Sequence, residues 1–343
     1  MFLIVAWHST VHGIYSHGQF AYELADWTLL PFLLTCWHVD GFVAISGWYG
    51  IRFKPSKFLR LLCLIVFYSL VNYFVAKIWY GEISFVVDGG WFGGSYLMLM
   101  LLAPILNRAV TGGCGTGIIL MLFGVTLQWS PYTRDFTGVN GYGAGAYSLF
   151  MMMCIYLVAR WAREAKIHCG LKRLACMAII FIAGMVFCGG SFVAHKLMAH
   201  SFVSFLDWQH FSYYNAPYVL LFAVAVVVSV GTGRIKFPFW IGRVCAWLGP
   251  SMFAVYLMHD VSVYGYDFYL PLQKVLYKFY HFPSFVVLFL STVFTFVCCV
   301  GIDLIRRLLL YPFRRLMDCV YKKIDGKYDG FVSVMQDKAT FYG

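Results

Sequence analysis

Residues 37–60 read WHVDGFVAISGWYGIRFKPSKFLR, an apolar run directly followed by a basic cluster. This order predicts a membrane-spanning helix and the side on which it ends. About twenty apolar residues cross the hydrocarbon core of a bilayer, and basic residues concentrate where a helix leaves it on the cytoplasmic side. The apolar run also contains His38 and Asp40, ionisable groups of a kind that rarely face lipid. We therefore expect one helix to carry orientation, anion-binding charge and candidate chemistry.

The composition extends this pattern to the whole chain. Of the 343 residues, 61% are hydrophobic and 12% are charged, a balance typical of integral membrane proteins. The net charge of +11 is spread over short segments without an aromatic and basic surface module, so we predict no nucleic-acid partner. The eleven cysteines include no CxxC pair and lie mostly in apolar segments, which predicts no disulfide framework.

Ten apolar segments predict an all-α, polytopic integral membrane bundle of about ten transmembrane helices. The first has about fifteen residues, or roughly 22 Å of helix, and predicts only the outer half of a span. The others cover residues 27–50, 58–78, 92–106, 116–129, 143–161, 174–193, 216–230, 244–263 and 283–310.

These segments predict one membrane domain and a tail. We expect the first helix to be truncated, with the natural start upstream of Met1. A transmembrane domain is predicted over residues 1–312, where Pro312 ends the last span. A polar cytoplasmic tail is predicted over residues 313–343 and is expected to be mobile beyond Asp325.

The basic residues predict the orientation. When alternate connecting segments are assigned to opposite sides, 21 of the 26 Lys and Arg residues fall on one side, which the positive-inside rule places in the cytoplasm. Both termini are then cytoplasmic. We expect a multi-pass protein of a bacterial-type inner membrane, with the lipid bilayer as one of its partners. The same assignment puts every histidine except His168 toward the outer face.

His8 is the main candidate for chemistry, because it ends an apolar run and an imidazole can act as a general base near neutral pH. A neutral histidine that bonds a neighbouring helix is the alternative. His38 and Asp40 lie roughly 200° apart around a helix and do not face one partner, and Asp40 has a structural alternative as well. Ser46 and Gly47 form a small pair that lets another helix approach closely.

Two further groups of polar residues are candidates. Tyr256 lies three positions before His259 and four positions before Asp260, so the three residues share one face of a predicted helix. Lys57 and Arg60 share a face and can clasp phosphate, although anchoring at the cytoplasmic boundary explains them as well. No metal-ligand spacing, Walker loop, GxSxG elbow or DxD motif occurs, which predicts no metal site and disfavours ATP-driven transport.

Five motifs follow one another along the chain: LIVAWHS with His8, FVAISGWYG at 42–50, KFLRL at 57–61, WFGGSYLMLMLLAPILN at 91–107 and LGPSMFAVYLMH at 248–259. With these motifs in this order, the chain resembles the acyltransferase-3 family of membrane acyltransferases, which includes surface-polysaccharide O-acetyltransferases. The resemblance implies a ten-helix bundle that transfers an acyl group, usually acetyl, from cytoplasmic acyl-coenzyme A to a hydroxyl of a cell-surface or lipid-linked glycan. It implies acyl-coenzyme A as a substrate and no bound cofactor.

By this resemblance His8 corresponds to the family's essential histidine, and Lys57 and Arg60 correspond to its paired basic motif, with lysine where arginine is usual. The chain departs from the family pattern at two places. The family's arginine eleven positions before that histidine would precede Met1, and the acidic-Pro motif of the last helix is replaced by Asp303.

The hypothesis that follows gives each group a role. His8 acts on the acceptor hydroxyl or handles the acyl group, and Lys57 and Arg60 bind the phosphates of acyl-coenzyme A. The supporting candidates are His38, Asp40, Ser46, Tyr256 and His259. A water-accessible cavity lined by His8, His38 and Ser46 is expected to join the two ends of the site. A glycan or lipid transporter is the alternative function.

Overall fold

The computed structural model describes residues 1–10, 34–81, 85–112, 117, 149–197, 216–259, 272–276 and 283–341. All regular structure within these residues is helical, which confirms the all-α prediction. In the same residues, the segments Pro55–Ile78, Gly90–Thr111, Phe239–His259 and Phe285–Leu309 are long and apolar enough to cross a membrane. The segment predicted at 116–129 lies almost wholly outside the described residues, and the number of about ten spans stays a prediction.

The main helices, in chain order, are α1 (Phe2–His8), α2 (His38–Tyr49), α3 (Pro55–Tyr80), α4 (Gly90–Thr111), α5 (Leu149–Glu164), α6 (Leu171–Leu197), α7 (Pro217–Gly231), α8 (Phe239–Leu248), α9 (Met252–His259), α10 (Ser284–Leu309) and α11 (Arg314–Phe341). Prolines begin α3 and α7, where the missing N–H would have had no helical partner. Short 3-10 turns at Gly249–Ser251 and Tyr311–Phe313 join α8 to α9 and α10 to α11.

Helix α2 packs against both α5 and α7. A Cβ atom added at Gly47 would lie 2.3 Å from the backbone oxygen of Tyr156 on α5. A Cβ added at Gly231 of α7 would lie 2.3 Å from Nε1 of Trp48 on α2. Both helix crossings require glycine, because any side chain would overlap its neighbour. The close approach predicted at Gly47 is therefore confirmed.

Helices α1, α9, α10 and α3 form the other part of the bundle. Helix α1 packs against α10, α9 and α2, and α9 packs against α10 and α3. Tyr68 of α3 donates a 2.8 Å hydrogen bond to the buried carboxylate of Asp303 on α10, which also pairs with Arg306 at 2.8 Å. The buried carboxyl group of Asp303 thus has polar partners within the protein.

The segment after residue 313 is a 28-residue helix, α11, that packs against α3. The residues predicted as a cytoplasmic tail are thus helical as far as Phe341. Their cytoplasmic location, and the mobility expected beyond Asp325, stay predictions. Four polar or aromatic residues of this helix are spaced three or four positions apart and therefore share one helical face: Asp318, Tyr321, Asp325 and Tyr328. The sequence did not predict this contact with α3, because the two helices lie far apart along the chain.

Candidate active site

Two histidines from opposite ends of the chain meet inside the bundle. His8 ends α1 and His259 ends α9, and their exposed fractions are 5% and 3%. Nδ1 of His8 lies 2.9 Å from Nε2 of His259. Both residues were candidates from sequence, but their pairing spans 251 positions and no local pattern indicates it.

A backbone carbonyl sets the direction of this hydrogen bond. Nδ1 of His259 bonds the carbonyl oxygen of Val255, and a carbonyl can only accept, so this nitrogen carries a proton. In neutral His259 the other nitrogen, Nε2, is then an acceptor, and Nδ1 of His8 donates to it. The network therefore assigns the lone pair of neutral His8 to Nε2, the nitrogen with which it can act as a base.

His38 lies beside this pair. Its ring centroid is 6.4 Å from that of His8, and the Trp7 ring lies 5.2 Å from His8 and 5.5 Å from His38. Nδ1 of His38 donates to the backbone carbonyl of Thr35. Residues His8, His38 and His259, from α1, α2 and α9, thus form one buried cluster, which we call the histidine cluster.

Asp40 is fully buried but is not bonded to the histidine cluster. Its side chain has an exposed fraction of 0%, and its carboxylate oxygens make no hydrogen bond with another residue that the structure describes. His38 and Asp40 share no hydrogen-bond partner among those residues, in keeping with their angular separation on α2. Asp260, the other predicted acidic candidate, lies outside the described residues.

Aromatic rings connect the histidine cluster to the middle of α2. The Tyr256 ring lies 6.3 Å from that of His259 and 5.3 Å from that of Phe92 on α4. Phe92 stacks on Tyr96 at 5.7 Å, and the Tyr96 hydroxyl lies 3.0 Å from Oγ of Ser46. Ser46 therefore contacts α4 through Tyr96, a residue that no sequence motif had indicated.

A cavity of about 360 Å³ lies at the N-terminal end of α4. Its lining consists of Asp88, Gly90, Trp91, Gly94, Ser95, Met98 and Leu149. Neither His8, His38 nor Ser46 lines this cavity. The water-accessible connection expected between those three residues stays a prediction.

The turn that follows α2 is held by α4 and α5. The backbone N–H of Ile51 donates to the Tyr156 hydroxyl at 2.8 Å, and that hydroxyl donates to Oδ1 of Asn107 at 2.8 Å. Nδ2 of Asn107 closes the ring by donating to the Ile51 carbonyl at 3.0 Å. Gly50, with φ of 74°, adopts a conformation that favours glycine. The end of FVAISGWYG and the last residue of the α4 motif therefore form one structural unit.

The predicted phosphate-binding pair lies beyond this turn, in the first turns of α3. Lys57 is exposed to solvent. Arg60 donates to Asp318 of α11 at 2.8 Å, and its guanidinium lies 4.5 Å from the centre of the Tyr321 ring. Arg60 thus already holds a carboxylate, a contact that the sequence pattern did not predict.

Helix α2 separates the histidine cluster from this basic end. His38 is its first residue and Tyr49 its last, and twelve residues rise about 18 Å. A molecule that contacts both Lys57 and the histidine cluster would therefore have to span about this length.

Comparison with known proteins identifies the chain. Residues 1–304 match the acyltransferase domain of family 3. The chain belongs to the acyltransferase-3 family. Neither a curated protein nor a solved structure matches it.

The matched region runs from α1 almost to the end of α10 and leaves α11 outside. It includes the whole histidine cluster and both residues of the basic pair. The protein is thus a membrane acyltransferase, and the family match does not support the transporter alternative.

Proposed function

We propose that this acyltransferase moves an acyl group, acetyl by preference, from cytoplasmic acyl-coenzyme A to a hydroxyl of a cell-surface or lipid-linked glycan, with His8 as general base. The observation that carries the proposal is the buried hydrogen-bond series from the Val255 carbonyl through His259 to Nδ1 of His8. This series orients a lone pair on Nε2 of His8, as general-base catalysis requires.

The reaction needs one proton carrier. Nε2 of His8 accepts the proton of the acceptor hydroxyl while that oxygen attacks the thioester carbonyl carbon. The tetrahedral intermediate collapses, the carbon–sulfur bond breaks, and its electron pair leaves with sulfur. His8 returns the proton to the sulfur, so the products are the O-acyl ester and the free thiol of coenzyme A.

His259 supports the charged state of His8. When His8 gains a proton, the hydrogen bond from its Nδ1 to Nε2 of His259 becomes charge-assisted and therefore stronger. Both rings are buried, and exclusion of water strengthens this electrostatic stabilisation. We propose that His38, with its ring 6.4 Å from that of His8, helps to shape the same site.

The donor enters from the basic end. In this proposal Lys57 and Arg60 bind the phosphates, and the pantetheine arm extends along α2 for about 18 Å. The rings of Tyr96 and Tyr256, with Phe92 between them, supply an apolar path from Ser46 to His259. Asp40 stays a supporting candidate, since a fully buried carboxyl on α2 lies along the same helix.

The orientation completes the proposal. We place the protein in a bacterial-type inner membrane with both termini in the cytoplasm, because 21 of 26 Lys and Arg residues then lie inside. The first turns of α3 and all of α11 are then cytoplasmic, on the side that supplies acyl-coenzyme A. The histidine cluster lies nearer the outer face, where the acceptor is.

The test is transfer of radiolabel from acetyl-coenzyme A into polysaccharide by membranes that contain wild type or His8→Ala. We expect His8→Ala to abolish transfer at unchanged protein level. His168→Ala is the matched control, because His168 is an exposed histidine between α5 and α6, and it should retain full transfer. Transfer by His8→Ala at the wild-type rate would overturn the assignment.

A further inference from the structure

Helix α11 docks onto the first turns of α3 through two carboxylates. The backbone N–H of Ser56 donates to Oδ1 of Asp325 at 3.0 Å, and the Ser56 hydroxyl donates to Oδ2 at 2.6 Å. Nη2 of Arg60 donates to Oδ1 of Asp318 at 2.8 Å. Ser56 and Arg60 lie on either side of Lys57, so the docked carboxylates occupy the basic motif itself.

These donors are the ones that a phosphate group would use. A backbone N–H in the first turn of a helix, a hydroxyl and a guanidinium all bind phosphate oxygens, and they bind carboxylate oxygens in the same way. Asp325 and Asp318 therefore stand where phosphates of a donor would bind.

The docked helix is an addition to the matched domain. The family match ends at residue 304, and α11 begins at Arg314. The helix that covers the basic motif thus lies outside the matched region.

The contact is weak enough to be reversible. The side chains of Arg60 and Asp318 are 54% and 40% exposed, and ion pairs at such exposure contribute little to stability. Two ring contacts accompany it, between Arg60 and Tyr321 and between Phe53 and Tyr328, whose centroids lie 5.6 Å apart. A ligand with several phosphate charges can therefore displace α11.

We infer that α11 is a built-in competitor of the donor, whose Asp318 and Asp325 occupy the phosphate site of α3 until acyl-coenzyme A displaces them. The inference rests on the proposed role of Lys57 and Arg60 in donor binding. It predicts that the full-length enzyme binds coenzyme A more weakly than the same site would bind it without α11 docked.

The experiment measures the dissociation constant of coenzyme A for the full-length protein in lipid nanodiscs. We expect Asp318→Asn combined with Asp325→Asn to lower this constant about fivefold. Asp329→Asn, at an exposed carboxylate of the same helix, is the matched control and should leave it unchanged. An equal constant for wild type and the double variant overturns the inference.

A second measurement uses wild type alone and so does not depend on how the variants fold. Cys63 is exposed and lies beside the Tyr321 side chain. Saturating acetyl-coenzyme A, whose thioester sulfur does not consume the alkylating reagent, should increase the alkylation rate of Cys63. Peptide mass spectrometry follows this rate, and an unchanged rate overturns the inference. If the double variant binds coenzyme A no more tightly than wild type while wild type still transfers acyl groups to glycan, only the competitor role of α11 is refuted. If the double variant binds coenzyme A more tightly but wild type transfers nothing to glycan, only the proposed function is refuted.

Discussion

Nδ1 of His8 donates a 2.9 Å hydrogen bond to Nε2 of His259 between two buried rings. In the proposed mechanism His259 acts through His8, so it is a positioning residue. His259→Leu removes the acceptor, and we expect the kcat for acyl transfer to fall about 100-fold while the KM values for both substrates stay near wild type.

The conservative variant separates positioning from packing. His259→Gln places an amide oxygen that can accept from Nδ1 of His8, so it should recover part of the lost kcat. The pH–rate profile should also shift in His259→Leu, because the imidazolium form of His8 loses its partner. Equal losses in both variants with an unchanged pH profile would mean that His259 only fills space.

Lys57 offers a test of donor binding that leaves the contacts of Arg60 intact. Lys57→Gln removes one positive charge near the proposed phosphates, and we expect the KM for acyl-coenzyme A to rise about tenfold. The KM for the acceptor should change little. Lys77→Gln, near the other end of α3, is the control for a lost lysine charge, and an equal effect there would argue against a phosphate site at Lys57.

The hydrogen bond from Tyr68 to Asp303 should contribute to stability, because its acceptor is a buried carboxylate. Tyr68→Phe should lower the free energy of unfolding by about 1.5–3 kcal/mol, as for other hydrogen bonds to charged groups. Thermal unfolding of the detergent-solubilised protein measures the change. Tyr73→Phe removes a hydroxyl from the same helix and should change the stability by about 0.5 kcal/mol or less. Similar losses in the two variants would contradict the prediction.

Gly47 should not tolerate a methyl group. In Gly47→Ala the new Cβ would overlap the backbone oxygen of Tyr156, at 2.3 Å, so α2 and α5 must separate and the protein should be strongly destabilised. Gly94→Ala is the matched control, because a Cβ there meets no atom within 4 Å. The two variants are compared by the yield of monodisperse protein after solubilisation. A wild-type yield for Gly47→Ala would show that α2 and α5 can accommodate the methyl group, which contradicts the prediction.

Docking of α11 should depend on pH through Asp325. Hydrogen bonds from the hydroxyl and then the backbone N–H of Ser56 lower the pKa of the Asp325 carboxyl from its ordinary value of 3.8. Because the pKa is lowered, the ionised group stabilises docking fully above that ordinary value, and the contribution is lost as the pH falls through the lower docked-state pKa. The charges of the nearby Lys54 and Arg60 side chains lower the pKa of Asp325 further.

A fluorophore attached to Cys63 can report this transition if it is one that tyrosine quenches on contact. The other exposed cysteines of the described residues are first replaced by serine: Cys176, Cys245 and Cys319. We expect quenching by Tyr321 at neutral pH and recovery of fluorescence below the ordinary aspartate pKa. Asp325→Asn should remove the pH dependence. A transition near neutral pH would assign docking to another group.

The order of apolar runs was sufficient to predict helices α3, α4 and α10, because the length of a span follows from the thickness of the bilayer. The small pair at Ser46 and Gly47 was sufficient to predict a close helix crossing, since a missing side chain is a local property. His8 and His259 were recognisable one at a time, as ionisable residues at the ends of apolar runs.

The helical segments, and the polar residues that are unusual in them, can be recognised without the structure. Three contacts appear only in the folded chain: His8 with His259, Asn107 with Ile51, and Arg60 with Asp318 of α11. Each of these contacts joins residues more than fifty positions apart. Hydrophobic periodicity specifies the buried face of a helix but not the partner of a polar group, because hydrogen bonds depend on distances and angles that exist only after the helices have packed.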